Sequence, residues 1–177
     1  MNDIEDTNEI SLPVLKSQKR NKLIKEAIPY IVILIVVITI RTFIVTPIIV
    51  NGESMMPTLK GGELMLLNKR AKINRFDVVV VDIGTEKLIK RVIAMPGESI
   101  TCENGIIYVN DKRQDEEYSQ GVTPDFDKVQ LEDDEYFVLG DNRENSLDSQ
   151  ELGPFKSAVV KGTTHFVLFP FSRFGSL

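Results

Sequence analysis

The chain has 177 residues, with 21 Lys+Arg against 26 Asp+Glu, and it contains a single His, a single Cys and no Trp. That length suits one domain, or one domain with a short appendage, and an apolar content of 42% is enough for a core and too much for a disordered chain. The lone Cys102 excludes an internal disulfide and a Cys-based zinc cluster, the lone His165 leaves little for a His-rich metal site, and a net charge of −5 argues against a general nucleic-acid binder. Any chemistry is therefore expected to run without metal, cofactor, thiol or histidine cluster.

The first residues are acidic (Asp3, Glu5, Asp6, Glu9), and five bases come next within ten positions: Lys16, Lys19, Arg20, Lys22 and Lys25. Directly after them, residues 27–40 read AIPYIVILIVVITI, without a charge. A helix of that length spans about 21 Å, short of a hydrocarbon layer of about 30 Å. Snorkelling of Arg41 extends the span to about 20 residues. Pro29 is tolerated in the first turn. A buried core helix and a cleavable leader are the alternatives. The purity of the β-branched run disfavours the first. The lack of an A-x-A-like site after the run, with Arg41 and Pro47 interrupting that region, disfavours the second. The reading is a cytoplasmic tail over residues 1–26, a single transmembrane helix over 27–49 and an extracytoplasmic domain over 50–177, oriented by the bases before the anchor. Ile48, Ile49 and Met55 are candidates to dip into the membrane interface, with core packing as the alternative.

From Val50 to Leu177 there are 15 basic and 21 acidic residues, a balance of −6, and short apolar runs alternate with turns. Strands are expected at residues 63–68, 76–82, 86–94, 99–102, 106–109, 136–139, 158–160 and 165–169. Asn104-Gly105 marks a tight hairpin. Seven or eight short strands predict an all-β sandwich or barrel. Residues 110–134 hold nine carboxylates and no clear pattern, which predicts a solvated surface excursion.

Three places carry candidate chemistry. Ser54 stands in Gly52-Glu53-Ser54-Met55-Met56-Pro57-Thr58-Leu59, between a glycine turn and an x-Pro bend. Strand alternation in Leu88-Ile89-Lys90-Arg91-Val92-Ile93 places Lys90 between Leu88 and Val92 on one face and Arg91 on the other. A lysine flanked by aliphatics is a candidate for desolvation, and burial can lower a lysine pKa by several units from about 10.4, so that its neutral amine can take a serine proton. An edge-strand lysine with a wet head group is the alternative reading. Arg91 faces the other way and cannot deprotonate, which makes it the poorer base. Finally, residues 140–149 gather more hydrogen-bonding side chains than a surface turn needs, as expected of a loop that orients other groups. His165 sits in a late strand pattern beside Phe166 and is read as structural.

These segments together resemble the type I signal peptidases, Ser–Lys endopeptidases, in the short form similar to those of Gram-positive bacteria. Residues 54–59 resemble the nucleophile box. Residues 76–80 resemble a second box, with Phe76 where glycine is usual. Residues 90–98 resemble the lysine box, with Ala94 and Glu98 as departures. Residues 140–149 resemble the last box, with Gln150 after it where arginine is usual. The resemblance implies an all-β catalytic domain behind one transmembrane helix, Ser54 as nucleophile and Lys90 as general base. It implies that Ser146 orients the lysine while Asp141, Arg143 and Asp148 hold the geometry. Gly52 replaces an oxyanion-binding serine, so the oxyanion falls to backbone N–H groups including that of Ser54, and Gln150 leaves Asp148 without one cation. Met55 and Pro57 are further expected to touch substrate. The implied substrate is the signal peptide of an exported preprotein, docked extended, with small residues at the first and third positions before the cut. The lipid bilayer is a second partner, the secretion translocon a further candidate, and no nucleic acid is involved. The rival readings are a self-cleaving repressor with a Ser–Lys site, which would need a DNA-binding domain in place of the anchor, and an inactive binding paralogue, which would be expected to have lost Ser54 or Lys90.

Overall fold

The computed structural model describes residues 23, 25–39 and 45–177, and the chain divides into two compact units, Met1–Thr42 and Phe43–Leu177. In the first unit, residues 25–39 form helix α1, apolar on every side from Ala27 onward, with Thr39 Oγ1 donating to the Ile35 carbonyl at 2.8 Å. Among the described residues no helix is long and apolar enough to cross a membrane. The end of the expected anchor needs correction: Val45–Ile49 is a strand, β1, of the second unit. Its β-branched residues favour extended backbone, and Pro47 cannot continue a helix but is tolerated on an edge strand. Most of the expected tail, and residues 40–44 of the expected anchor, lie outside the described residues.

The second unit is mostly β, as expected. After β1 come β2 (Leu64–Asn68), β3 (Val78–Asp82), β4 (Lys87–Ala94), β5 (Ser99–Glu103), β6 (Ile106–Val109) and β7 (Lys112–Arg113). The remaining elements are β8 (Phe126–Gln130), β9 (Glu135–Leu139), α2 (Ser149–Leu152), β10 (Phe155–Lys156), β11 (Val160–Phe169) and β12 (Gly175–Ser176). One antiparallel sheet runs β1-β2-β11-β3-β4-β9-β10 with β12 on β11, and a smaller one runs β7-β6-β5-β8. The hairpin between β5 and β6 turns at Asn104 and Gly105, both with positive φ (52° and 75°), which suits a type I′ turn.

The run Val78–Val81 is buried on both faces and joins two clusters. Val78, Val80 and Ile89 pack with Met55, Leu59, Met65 and Leu67, while Val79, Val81, Leu88 and Val92 pack with Val138 and Phe155. A third cluster joins the two sheets around Ile93, Ile100, Ile107, Phe137 and Leu139. Continuous burial explains why β3 reads as an unbroken valine run instead of alternating. The expected surface excursion over residues 110–134 is also corrected. It contains β7 and β8, buries Thr123 and Leu131, and sends Glu116 inward to a buried arginine.

Candidate active site

Three pieces of chain converge on Lys90. The first is the turn between β1 and β2, closed at its base by Val50 N–H to the Glu63 carbonyl and Gly62 N–H to the Val50 carbonyl, both 2.8 Å. Met55 and Leu59 sink into the core and leave Ser54 at the surface of the turn. The second is β4, on which the register Val79↔Lys90 and Val81↔Leu88 sets Lys90 on the face of the Val79 cluster, with Arg91 opposite Val78 on the other face. The third is the loop after β9. Its Asn142 N–H donates to the Ser54 carbonyl at 3.0 Å.

Lys90 is only 2% exposed, and its Nζ lies 2.8 Å from Ser54 Oγ and 3.0 Å from Ser146 Oγ. Ser146 donates to Asp148 Oδ2 at 2.5 Å, and that carboxylate also accepts Gly140 N–H at 2.9 Å and Gln150 N–H at 3.1 Å. With the Ser146 proton committed to Asp148, its lone pair faces the amine, and the lone pair of a neutral amine is then free to face Ser54. Burial lowers the Lys90 pKa, against the opposing pull of Asp148, Glu86 and Asp141. The rival groups are unsuited: burial pushes the Cys102 thiol up to about 11, and His165 is exposed, with its Nε2 3.8 Å from Asp77.

A sequence model described as "Signal peptidase, peptidase S26" matches residues 23–169. The chain belongs to this family. It is 35% identical over 174 residues to signal peptidase I of Bacillus amyloliquefaciens, covering 89% of this chain and 94% of that protein. Against signal peptidase I P of Bacillus subtilis subsp. natto the identity is 37% over 177 residues, covering 89% and 95%. A signal peptidase I from Enterococcus faecalis V583, known from its crystal structure, aligns with a TM-score of 0.48 at 29% identity, over 52% of this chain and 97% of that one.

Within this signal peptidase the expected support residues divide into two groups. Asp148 accepts the Ser146 hydroxyl and is held by neutral donors where the family resemblance implies a cation, and Gln150 turns its side chain to the Pro124 carbonyl at 3.1 Å. Arg143 does not join that carboxylate. It donates to the Gly140 carbonyl at 3.0 Å and forks onto Glu116 at 2.6 and 2.9 Å, inside the stretch expected to be a solvated excursion. Asp141 is fully buried and accepts Arg91 Nε at 2.8 Å and Nη2 at 2.6 Å, and the Thr58 hydroxyl also donates to it. Met55 is 2% exposed in the core, the core-packing alternative of its two readings, and neither it nor Pro57 lines the cleft beside Ser54. Gly52 has φ +79°, a conformation that favours glycine, which gives a backbone reason for the missing serine there.

Two further residues, which the sequence reading gave no role, shape the site. Arg91 cannot act as a base, yet it joins Asp141 to the Phe76 carbonyl (2.8 Å) and lies 4.1 Å from the Tyr118 ring centre. Arg91→Ala is expected to cost about 3 kcal/mol in urea unfolding, because Asp141 stays buried without its partner, and adding Asp141→Asn is expected to cost less than the sum. Gly140 is the other. The ladder pair Arg91↔Leu139 sets it opposite Lys90, and a Cβ there would lie 2.2 Å from Ser146 Oγ and 2.5 Å from the Ser54 carbonyl oxygen.

Proposed function

We propose that the chain is a membrane-anchored serine endopeptidase that removes N-terminal signal peptides from exported preproteins, with Ser54 as nucleophile and neutral Lys90 as general base. The observation that carries this reading is the buried amine within hydrogen-bonding reach of two hydroxyls, Ser54 and Ser146. Ser54 attacks the scissile carbonyl, Lys90 takes its proton and passes it to the leaving amine, and water activated by the same lysine hydrolyses the acyl-enzyme. The Ser54 N–H, which meets no acceptor among the described residues, receives the oxyanion on the open side of Gly52. Asp148 fixes Ser146, and Ser146 fixes the amine. Asp141 and Arg143 brace the start of the loop that carries them.

A cleft of about 520 Å³ runs beside Ser54, lined by Pro47, Ile48, Ile49, Asn51 and residues 86–90. Among the described residues β1 pairs only with β2, and β9 pairs with β4 only from Arg91 onward, so both walls present free backbone edges. An extended signal peptide fits such edges as an added strand, with alternate side chains entering the cleft. Anchoring by the apolar segment that includes α1 keeps the tail in the cytoplasm and tethers the β domain outside. Ile49, Leu64 and Phe169 align across β1, β2 and β11. Ile49, Phe169, Phe171 and Phe174 are each at least half exposed, as an interfacial surface would be.

The test is to incubate the detergent-solubilised full chain with a preprotein and look for the shortened product. Its pH dependence comes from the lowered Lys90 pKa. Below that value the amine is protonated and cannot accept the serine proton, so cleavage is expected to fall as pH drops and to rise on the alkaline side of neutral. A rate that stays flat from acid to alkaline pH would exclude Lys90 as the base.

A further inference from the structure

The turn that carries Ser54 is gripped from a second side, by residues that belong to none of the motifs above. Glu63, at the base of the turn, is 2% exposed. Its Oε2 accepts Lys60 N–H at 3.2 Å, while its Oε1 has no hydrogen-bond donor of good geometry and is compensated by Arg173 Nε at 3.2 Å. The same guanidinium donates through Nη2 to the Thr58 carbonyl at 2.7 Å. The hydroxyl of Thr58 is already committed to Asp141. Thr58 is thus held by its side chain from the Asp141 loop and by its carbonyl from Arg173. Thr58 is coupled to Ser54 through one closed turn, in which Leu59 N–H donates to the Met55 carbonyl at 2.8 Å.

The position of Arg173 is itself fixed. It ends the 3₁₀ turn Phe171–Arg173, with its N–H on the Pro170 carbonyl at 2.9 Å. β12 then folds back on β11 through Phe166↔Ser176 and Val167↔Gly175, and Leu177 N–H donates to the His165 carbonyl at 2.9 Å. Phe169 pairs with Leu64, so this corner sits against the residue after Glu63. A planar guanidinium can bridge a carboxylate and a carbonyl in one rigid fork, which a lysine cannot do. Residue 173 also lies beyond the segment 23–169 matched by the family.

We propose that Arg173, seated on buried Glu63, is a positioning residue that holds the nucleophile turn in its reactive geometry through the Thr58 carbonyl. The proposal rests on Ser54 being the nucleophile. Small displacements of a nucleophile reduce turnover far more than they reduce binding. In the full-length chain in detergent, Arg173→Ala is expected to lower kcat for preprotein cleavage about tenfold with KM within about twofold. Arg173→Lys, which reaches one partner but not both, is expected to recover about threefold of that loss. Glu63→Gln combined with Arg173→Ala is expected to fall no further than the worse single variant, as members of one clamp do. Rates are taken per active site, by titration with a serine-acylating reagent, so a loss that merely tracks unfolded protein disappears from the comparison. Unchanged kcat per active site in Arg173→Ala overturns the proposal, as does a strictly additive double variant. Ser54→Ala serves as the control: if it cleaves like the parent, the reading of the nucleophile fails; if it is inactive while Arg173→Ala is normal, only the clamp fails.

Discussion

Replacing Lys90 with methionine is expected to abolish preprotein cleavage, with a fall of about 10³-fold or more, and Ser54→Ala is expected to match it. The two losses should not add, because the groups act as one unit: an unactivated hydroxyl and a base without its nucleophile are equally idle. Methionine keeps most of the packing volume at a site that is 2% exposed, so the fold should survive. Stability gives an independent check with a defined sign. The Lys90 pKa is lowered in the folded state, so between that value and the ordinary 10.5 the unfolded chain binds the extra proton. Native stability therefore climbs with pH across that window, and Lys90→Met should flatten the climb. Urea unfolding of both proteins at a series of alkaline pH values measures it. Retained cleavage in either purified variant, or a climb that persists in Lys90→Met, would remove Lys90 from its assigned role.

The second large effect is expected at a residue that carries no chemistry. Gly140→Ala places a methyl group 2.2 Å from Ser146 Oγ and 2.5 Å from the Ser54 carbonyl oxygen, and 2.7 Å from Ser146 Cβ. None of these is the free end of a flexible side chain. Ser146 is tied to Asp148, and the Ser54 carbonyl to Asn142 N–H, so relief requires the support loop and the nucleophile turn to move apart. That motion lengthens the contacts from Lys90 to Ser54 and Ser146. We expect kcat to fall about 100-fold and stability to fall by about 1–3 kcal/mol. Single-turnover cleavage with chemical denaturation measures both. If the alanine variant turns over normally, the loop does not act as the rigid wall described here.

Local pattern makes much of the strand content and the tight hairpin legible. The valine run, the aliphatic flanks of Lys90 and the Asn104-Gly105 turn each report a short-range preference that the fold keeps. The stretch 110–134 misleads because its carboxylates count as solvated in sequence. Only the arrival of Arg143 from a distant loop gives Glu116 a buried partner. The place of Arg91 is hidden for the same reason: alternation points it away from Lys90, and Asp141 and Tyr118, which give it a role, come from other parts of the chain. The sequence leaves Met55 open between an interface and the core, and the turn curls and drives it into the core. Inside an apolar segment, the change from α1 to β1 is marked only by Pro47 and the β-branched residues around it.

The sequence by itself determined which chemical groups are present: a serine in a constrained turn, a lysine between aliphatics, an apolar segment behind a basic cluster, and only one histidine and one cysteine. Those properties are local, and side-chain type and strand period suffice to reveal them. Tertiary structure alone decided that Ser54 and Ser146, 36 and 56 positions along the chain from Lys90, meet its amine within 3.0 Å. It likewise decided that Arg143 serves Glu116 and that Arg173 closes on Thr58. Such contacts depend on sheet register, on a glycine that leaves no Cβ at one ladder position, and on loop closure, none of which any single segment encodes.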